Sequence, residues 1–470
     1  MSGGKSYRVR IWAVVQNKTA KKPTYQLRWK VDGKSFSLTF TTKGLADRFR
    51  SRLLRATEDG EPFDLMTGLP DSMAEAKAAD SFLSFALAYM DMKWPHAAAK
   101  SRASMTEMLM TALPAFVRDV GGEPDVVLLR RAMRRYLLPP PRRGAERPKD
   151  VAKAIAWLEK ASMPVADLKE AKHIHDVLDA LGRKLDGTAA GAETTRRKRS
   201  ALYNVLDYAV ELEHLATNPI DKVKRKRIKV SEVVDRRAVA NPKQARELLT
   251  AVSYVGGYKR AGGRKLVAFF AVMYYAGTRP AEAVGLRRQD CELPESGWGM
   301  ITLHRTRPTV GKLWTNTGTS HDDRGLKQRS ERETRPVPIP PVLVRILQDH
   351  IDTFGTHKDG RLFPSERGGV LASSSYYRIW QAARALALTP EQVASPLAAR
   401  PYDLRHACAS LWLNSGVPAP EVAERLGHSV DVLLKIYAKC IDGQRETVNK
   451  RIAEALGEDV GGVEESKGSE

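Results

Sequence analysis

Apolar and polar residues alternate at a period of two in three early runs of the chain: Tyr7 to Trp12, Tyr25 to Val31 and Phe36 to Phe40. Such alternation sends one set of side chains to a core and the other to water, so each run predicts a half-buried strand. Asp32-Gly33 lies between the second and third runs and suits a tight hairpin turn, where positive φ is needed. An arginine-rich helix is expected from about Leu45 to Ala56. Residues 1–70 are therefore expected to form a three-stranded sheet backed by one helix. Residues 58 to 75, with Glu61-Pro62 and Gly68-Leu69-Pro70, read as a linker.

From about Ser81 to Ala216 the period lengthens to that of a helix, with breaks at Pro139-Pro140-Pro141 and between Gly187 and Gly191. The last helix of this stretch is the clearest. Thr194 or Thr195 can cap it, Arg196, Arg197, Lys198 and Arg199 occupy its first turns, and Leu202, Val205, Leu206 and Ala209 recur on one face. Cations there oppose the helix dipole, which predicts an anionic partner from outside the chain. Asn218-Pro219 closes a helical domain over 76–220. A basic linker over 221–240 follows, with Lys224, Arg225, Lys226, Arg227 and Lys229. A solvated charge run and a hinge lying along a DNA backbone explain it equally well. A second, mainly helical domain spans 241–456, interrupted by strand-like pieces near Gly299 to Leu303 and Arg335 to Ile339. The tail over 457–470 is rich in Gly and Glu and is expected to be disordered. The fold class is α+β and mainly helical.

Charge changes this picture most. A formal charge of +22 on 470 residues favours a polyanionic partner, and the apolar fraction of 42% fits a folded chain. No membrane partner is expected. The most apolar run, Leu266 to Ala276, is too short to span a bilayer, and no helix with a clustered basic face stands out. The N-terminus lacks a charged-then-apolar leader pattern, so a cytoplasmic, nucleoid-associated location is expected. In the early sheet Arg8, Arg10 and Arg28, with Lys30 and Lys34, outnumber the acids; a solvated face and DNA contact both remain open. Cys291, Cys408 and Cys440 are too widely spaced for a disulfide framework or a zinc site and read as small apolar fillers. Neither a metal nor a cofactor is expected.

Three pieces of the last domain belong together. In Ala276-Gly277-Thr278-Arg279-Pro280-Ala281-Glu282 an apolar helix ends at Gly277 and Thr278 can cap a new one, so Arg279 sits at a helix start, which favours an anion. The second piece is Pro401-Tyr402-Asp403-Leu404-Arg405-His406. The third is Leu426-Gly427-His428-Ser429, followed by Tyr437 in Leu433-Leu434-Lys435-Ile436-Tyr437-Ala438. Singly, each has a bland reading: a surface ion pair for the arginine, a helix cap for His428, a core residue for Tyr437. Their order and spacing resist that reading when they are taken as a set.

The set resembles the tyrosine recombinase (phage integrase) family, whose catalytic domain carries Arg, Glu, Lys, His-x-x-Arg, His or Trp, and Tyr in that order. Across nearly the whole chain the resemblance is greatest to integrases of actinobacterial phages and integrative elements, strengthened by Arg361-Leu362-Phe363, Arg400 to His406 and Tyr437-Ala438-Lys439-Cys440. It implies an N-terminal arm-binding module, a helical core-binding domain and a mixed catalytic domain. By position, Arg279 and Arg405 match the arginine pair, Glu282 the acid, His428 the His/Trp position and Tyr437 the nucleophile. Lys327, ahead of Arg335-Pro336-Val337-Pro338, matches the lysine of a β-hairpin, with Lys312 as the fallback. Tyr402 replaces the usual histidine; it can hydrogen-bond a phosphate oxygen but is a poor general base. His406, next to Arg405, reads as structural or as compensating for that change.

The implied chemistry suits these side chains. Two guanidiniums provide forked donors for a phosphate gaining charge, and His428 adds one more. Tyr437 needs help, because its phenolate is scarce at neutral pH by roughly 4 kcal/mol. A cationic pocket is expected to lower that deficit, and Lys327 to protonate the departing 5′ oxygen. A 3′-phosphotyrosyl intermediate conserves the bond energy, so neither ATP nor metal is expected. Glu282 is expected to organise the pocket, and Asp290 and Asp403 to cap helices. The resemblance further implies double-stranded attachment sites as substrate and a homotetramer on two of them. It also implies a helix over Gln444 to Leu456 donated to a neighbour, with an excision factor or DNA-bending host protein as further partners. Two other readings stand beside it: a type IB topoisomerase-like enzyme, and a catalytically inactive DNA-binding regulator.

Overall fold

The computed structural model describes residues 4–17, 24–40, 42–73, 80–224, 233–257, 260–326, 333–437, 440, 449, 452–453 and 455–457. The chain divides into two units, Met1–Ile228 and Lys229–Glu470. It is a mixed, mainly helical α and β protein. None of its described helices is long and apolar enough to cross a membrane.

The first unit opens with β1 (Lys5–Ser6), β2 (Val9–Ile11), β3 (Val15–Asn17), β4 (Thr24–Val31) and β5 (Lys34–Phe40), then helix α1 (Lys43–Glu58) and β6 (Phe63–Asp64). β2 and β3 lie one after the other along the same edge of β4, and β5 pairs with its other edge. The sheet is thus three strands wide, with its first strand split. Asp32 and Gly33 both take positive φ in the β4–β5 turn, as the hairpin signal requires. Alternation on β4 buries Leu27, Trp29 and Val31 and exposes Arg28 and Lys30. Residues 61–73 are no open linker. Phe63, Leu69 and Met73 join the core of the sheet, and the Trp29 indole donates to the Gly68 carbonyl at 2.6 Å. The Pro and Gly there shape a return loop whose apolar residues have somewhere to go.

Helices α2 (Phe82–Lys93), α3 (Ala99–Ala112), α4 (Val126–Ala132), α5 (Lys149–Ala161), α6 (Ala171–Leu181) and α7 (Ala192–Glu211) complete the unit. The proline triplet forms a short turn over Pro140–Arg142. α7 buries Leu202, Val205, Leu206 and Ala209 as its spacing predicts, but its cap is Gly191 rather than Thr194 or Thr195. The helix starts early because Glu193 fits its first turn, where it favours the dipole and pairs with Arg196 at 2.9 Å and Arg197 at 3.7 Å. An internal anion thereby weakens the inference that this cluster needs an external one.

The second unit contains α8 (Pro242–Val252), α9 (Val267–Tyr275), α10 (Pro280–Gly285), β7 (Cys291–Glu292), β8 (Gly299–Leu303), β9 (Arg305–Thr306), β10 (Arg324–Gly325) and β11 (Arg335–Ile339). After them come α11 (Pro341–Phe354), α12 (Ser373–Ala387), α13 (Asp403–Asn414), α14 (Ala419–Leu426) and α15 (Val430–Tyr437). β11, β8 and β7 form an antiparallel sheet in that order, and β9 pairs with β10 as a hairpin. α9 is almost wholly buried, and its Phe269 and Phe270 pack on Phe363 and Trp380. A smaller cluster of Ala409, Leu413, Val422, Ala423, Leu426, Leu433 and Tyr437 joins α13, α14 and α15. All three cysteines are buried and free.

Candidate active site

The site grows from one carboxylate. Glu282, three residues into α10, is fully buried and receives three guanidiniums. Arg279 donates to it at 2.8 Å from its side chain and again at 2.8 Å from its backbone N–H, which caps the helix. Arg335 donates two bonds at 2.7 and 3.2 Å, and Arg405 stands 3.9 Å away. Burial pushes the Glu282 carboxyl up, but Arg335, Arg279 and Arg405 together pull it down to about 2. Thr278 does not cap α10. Its hydroxyl is buried without a partner, because the Glu282 side chain already fills that role.

Arg405, on α13, has no exposed surface. It donates to the Gly277 carbonyl, to the Leu426 carbonyl at 2.6 Å and to the His428 ring at Nε2 at 3.0 Å. A guanidinium cannot accept, so Nε2 must be the unprotonated nitrogen and the His428 proton sits on Nδ1. Burial and the nearby Arg405, Arg279 and Arg335 hold that imidazole down to about 3 and hence neutral. Two glycines make the approach close enough. Gly277 and Gly427 both take positive φ, and a Cβ on them would strike Leu426 and Arg335 respectively. The Gly427 carbonyl also accepts from Arg279 at 3.2 Å.

Buried donors without acceptors are rare, yet Arg335 Nε, Arg405 Nε and His428 Nδ1 are all of this kind among the described residues. Three in one cluster, two of them on guanidiniums, amount to a surplus of hydrogen-bond donors. That arrangement suits a polyvalent anion and would repel a cation. Among the described residues no group of three or more His, Cys, Asp or Glu could hold a metal ion.

Tyr437 ends α15 in the same neighbourhood, but its side chain is fully buried. Its hydroxyl lies 2.9 Å from His406 Nδ1. Contrary to the expected lowering, its pKa is pushed up, because burial outweighs the favourable charge of Arg405. Burial, then Arg400 and Arg405, hold His406 down to about 4. The Tyr402 ring packs edge-on against His406 at 5.1 Å, and its hydroxyl reaches the Arg279 guanidinium.

Five sequence-derived residues thus converge: Arg279, Glu282, Tyr402, Arg405 and His428, with Tyr437 joined to them through His406. Lys327 lies outside the described residues, as do Arg225, Arg227 and most of the expected helix over 444–456. The fallback Lys312 is exposed in the excursion between β9 and β10. Lys224, Arg196 and Arg197 are exposed, Arg199 is half-buried, and Lys198 reaches Thr111 at 3.3 Å. Arg8, Arg10 and Arg28 are exposed on the first sheet, where Arg10 stands directly opposite Lys30. One residue was missed, and a second, His406, was named only as structural or compensating. Arg335 shares the inward face of β11 with Val337 and Ile339, and a charge at a core position of an alternating strand is itself the signal of a buried partner. For His406 the sequence offered only its place beside Arg405; its partner could not be read there, since the contact comes from α15.

The depressed histidines set a pH dependence of stability. An unfolded histidine takes a proton below about 6.5, whereas folded His428 and His406 do so only near 3 and 4. The unfolded state therefore binds more protons as pH falls below about 6.5, and stability drops with it, by at most about 1.4 kcal/mol per pH unit for each histidine. Melting curves between pH 7.5 and 5 should show a falling Tm. A level Tm over that range would show that both imidazoles protonate freely in the folded chain.

A family model described as "Phage integrase family" matches residues 239–442. The putative prophage phiRv2 integrase of Mycobacterium tuberculosis is 30% identical over 165 residues, 34% of this chain and 39% of that protein. The prophage ps2 probable integrase of Lactococcus lactis subsp. lactis is 26% identical over 243 residues, 49% of this chain and 59% of that one. The chain thus spans between two and three fifths of the length of these two relatives. Among solved structures, the Tn1549 transposon integrase in complex with transposon right end DNA aligns at 16% identity with a TM-score of 0.44, covering 67% of this chain and 96% of that one.

Proposed function

We propose that the chain, whose residues 239–442 match the phage integrase family model, is a site-specific tyrosine recombinase that cleaves and rejoins duplex DNA at attachment sites, integrating a mobile element. One observation carries this reading: buried Arg405 and half-buried Arg279 and His428, far apart in sequence, form one cluster with donors to spare, and the Tyr437 phenol lies beside it. A phosphodiester needs such donors most when its non-bridging oxygens gain charge, and fixed donors are worth far more there than mobile water. The scissile phosphate sits between Arg279 and Arg405, with His428 donating from Nδ1. Tyr437 Oη attacks phosphorus, the bond to the 5′ oxygen breaks, and a 3′-phosphotyrosyl link holds the strand until a new 5′ hydroxyl reverses the step. Lys327 protonates the departing 5′ oxygen. The reaction then needs neither ATP nor metal.

The remaining surfaces extend this reading to the whole chain. Arg10 opposite Lys30, with Arg8 and Arg28 on the same sheet, concentrates like charge, which destabilises the bare sheet. A phosphate backbone across the face offsets that, so residues 1–70 bind outlying arm sites. The helical domain over 76–220 and the basic linker grip the core site through Arg196 to Arg199, Lys224, Arg225 and Arg227. Four protomers assemble on two sites, and an excision factor or DNA-bending host protein sets direction. The test is genetic. The gene is introduced with its flanking DNA into a suitable host, and the junctions are sequenced. Joining at one short shared core sequence is expected; scattered junctions, or none, reject the reading.

A further inference from the structure

The recombinase reading leaves the nucleophile's own proton without an acceptor, because Tyr402 stands where the family's histidine is expected. We propose that His406 is a catalytic residue: its Nδ1 takes the proton of Tyr437 Oη as that oxygen attacks phosphorus. This rests on the function proposed above and gives a defined role to a residue that sequence order left as structural or compensating.

The contact itself is direct, at 2.9 Å from nitrogen to oxygen, a working distance for proton transfer. The alternatives are occupied. Glu282 is held by three guanidiniums. Asp403 accepts from the Arg400 backbone at 2.8 Å and its side chain at 3.0 Å. The Nε2 lone pair of His428 faces Arg405. Tyr402 is a phenol and no better a base than its target. His406 faces Tyr402, Arg405 and Tyr437, and it borders a cavity of about 390 Å³ that Asp235, Arg400 and Asp403 also line. That cavity offers the proton a route away from the phosphate. Burial, then Arg400 and Arg405, keep the ring neutral, and with its proton on Nε2 the ring accepts at Nδ1.

The step balances without any added reagent. The Oη–H proton moves to Nδ1, Oη–P forms, P–O5′ breaks, and the 5′ oxygen takes a proton from the general acid of the function proposed above. In ligation the imidazolium returns its proton to Oη as the phosphotyrosine bond breaks. Tyr437 is enclosed in this structure, so α15 must move for DNA to reach it, and His406 travels with the reaction only if that hydrogen bond survives the movement.

The experiment measures single-turnover covalent adduct formation by the full chain on attachment-site duplex from pH 6 to 9. His406→Gln should slow it by about 10²–10⁴-fold with DNA binding changed less than about threefold. The rate of the variant should climb about tenfold per pH unit, since hydroxide must now remove the proton, while the unsubstituted chain stays level from pH 6 to 8. Fluorotyrosine at position 437, a more acidic phenol, should restore most of the rate in His406→Gln. A variant within about threefold of the unsubstituted chain overturns the proposal. So does a slow variant with a level pH profile that fluorotyrosine fails to speed, which would make His406 a mere support. Fluorotyrosine in the otherwise unaltered chain gives a readout independent of how the variant folds. A level profile from pH 6 to 8 supports the proposal, and a rate that inflects at the phenol's own pKa overturns it. Absence of any adduct from the unsubstituted chain would instead count against the recombinase reading.

Discussion

Tyr437→Phe is expected to bind an attachment-site duplex as tightly as the unsubstituted chain and to form no covalent protein–DNA adduct on a nicked version of it. The ring stays packed among Leu413, Leu426 and Leu433, so the fold should survive. The hydroxyl is the only atom removed, and it leaves His406 Nδ1 without its partner, at a stability loss of roughly 1–3 kcal/mol. Against that small change the expected effect on chemistry is total, since among the described residues no other side-chain hydroxyl stands at the end of α15. Denaturing gels of a labelled strand read the adduct directly. An adduct persisting in the phenylalanine variant would identify a different nucleophile and remove the basis for the mechanism. The enclosed phenol adds a kinetic expectation: the step that exposes α15 precedes cleavage, so adduct formation should lag behind DNA binding.

Local periodicity carried the elements whose burial is decided within the element. The alternation of β4 placed Leu27, Trp29 and Val31 inside, and Asp32-Gly33 placed the hairpin. α7 shows the limit of local reasoning. Its buried face was legible, but its start moved to Gly191 because Glu193 and Arg196 pair across one turn, a contact that a capping rule for threonine does not weigh. The return of residues 61–73 to the sheet core likewise depended on a tertiary cavity for Phe63, which Gly and Pro spacing cannot reveal. In the candidate site, the resemblance singled out Arg279, Glu282, Arg405, His428 and Tyr437, and the fold brings these into one neighbourhood. Sequence could not identify what only packing creates. Arg335 reaches Glu282 from β11, and His406 meets Tyr437 from α13. Burial of the phenol had been offered only as the bland reading of Tyr437; that its desolvation outweighs the cationic environment, and so raises its pKa, could not be read from sequence.

Glu282→Gln is expected to be the most damaging substitution of a residue that never touches DNA. It preserves shape and removes the charge that offsets Arg279, Arg335 and Arg405, two within hydrogen-bonding distance and one at 3.9 Å. Leaving buried charge uncompensated costs about 3–5 kcal/mol, a large share of the stability of an ordinary domain. Denaturant unfolding should show that loss, and cleavage should fall by on the order of 10²–10³ as the donors lose their fixed positions. Arg405→Ala is a less clean test of catalysis. With no exposed surface and bonds to Gly277, Leu426 and His428, Arg405 holds the fold together in its own right. The two losses in Glu282→Gln separate through linkage. Duplex DNA brings a replacement anion to the guanidiniums, so saturating DNA should restore much of the lost stability, by several kcal/mol at concentrations far above the Kd. Cleavage should stay slow, because an anion that binds the resting cluster more tightly gains nothing at the transition state. A variant that unfolds like the unsubstituted chain and cleaves at its rate would show that Glu282 does not organise the three arginines.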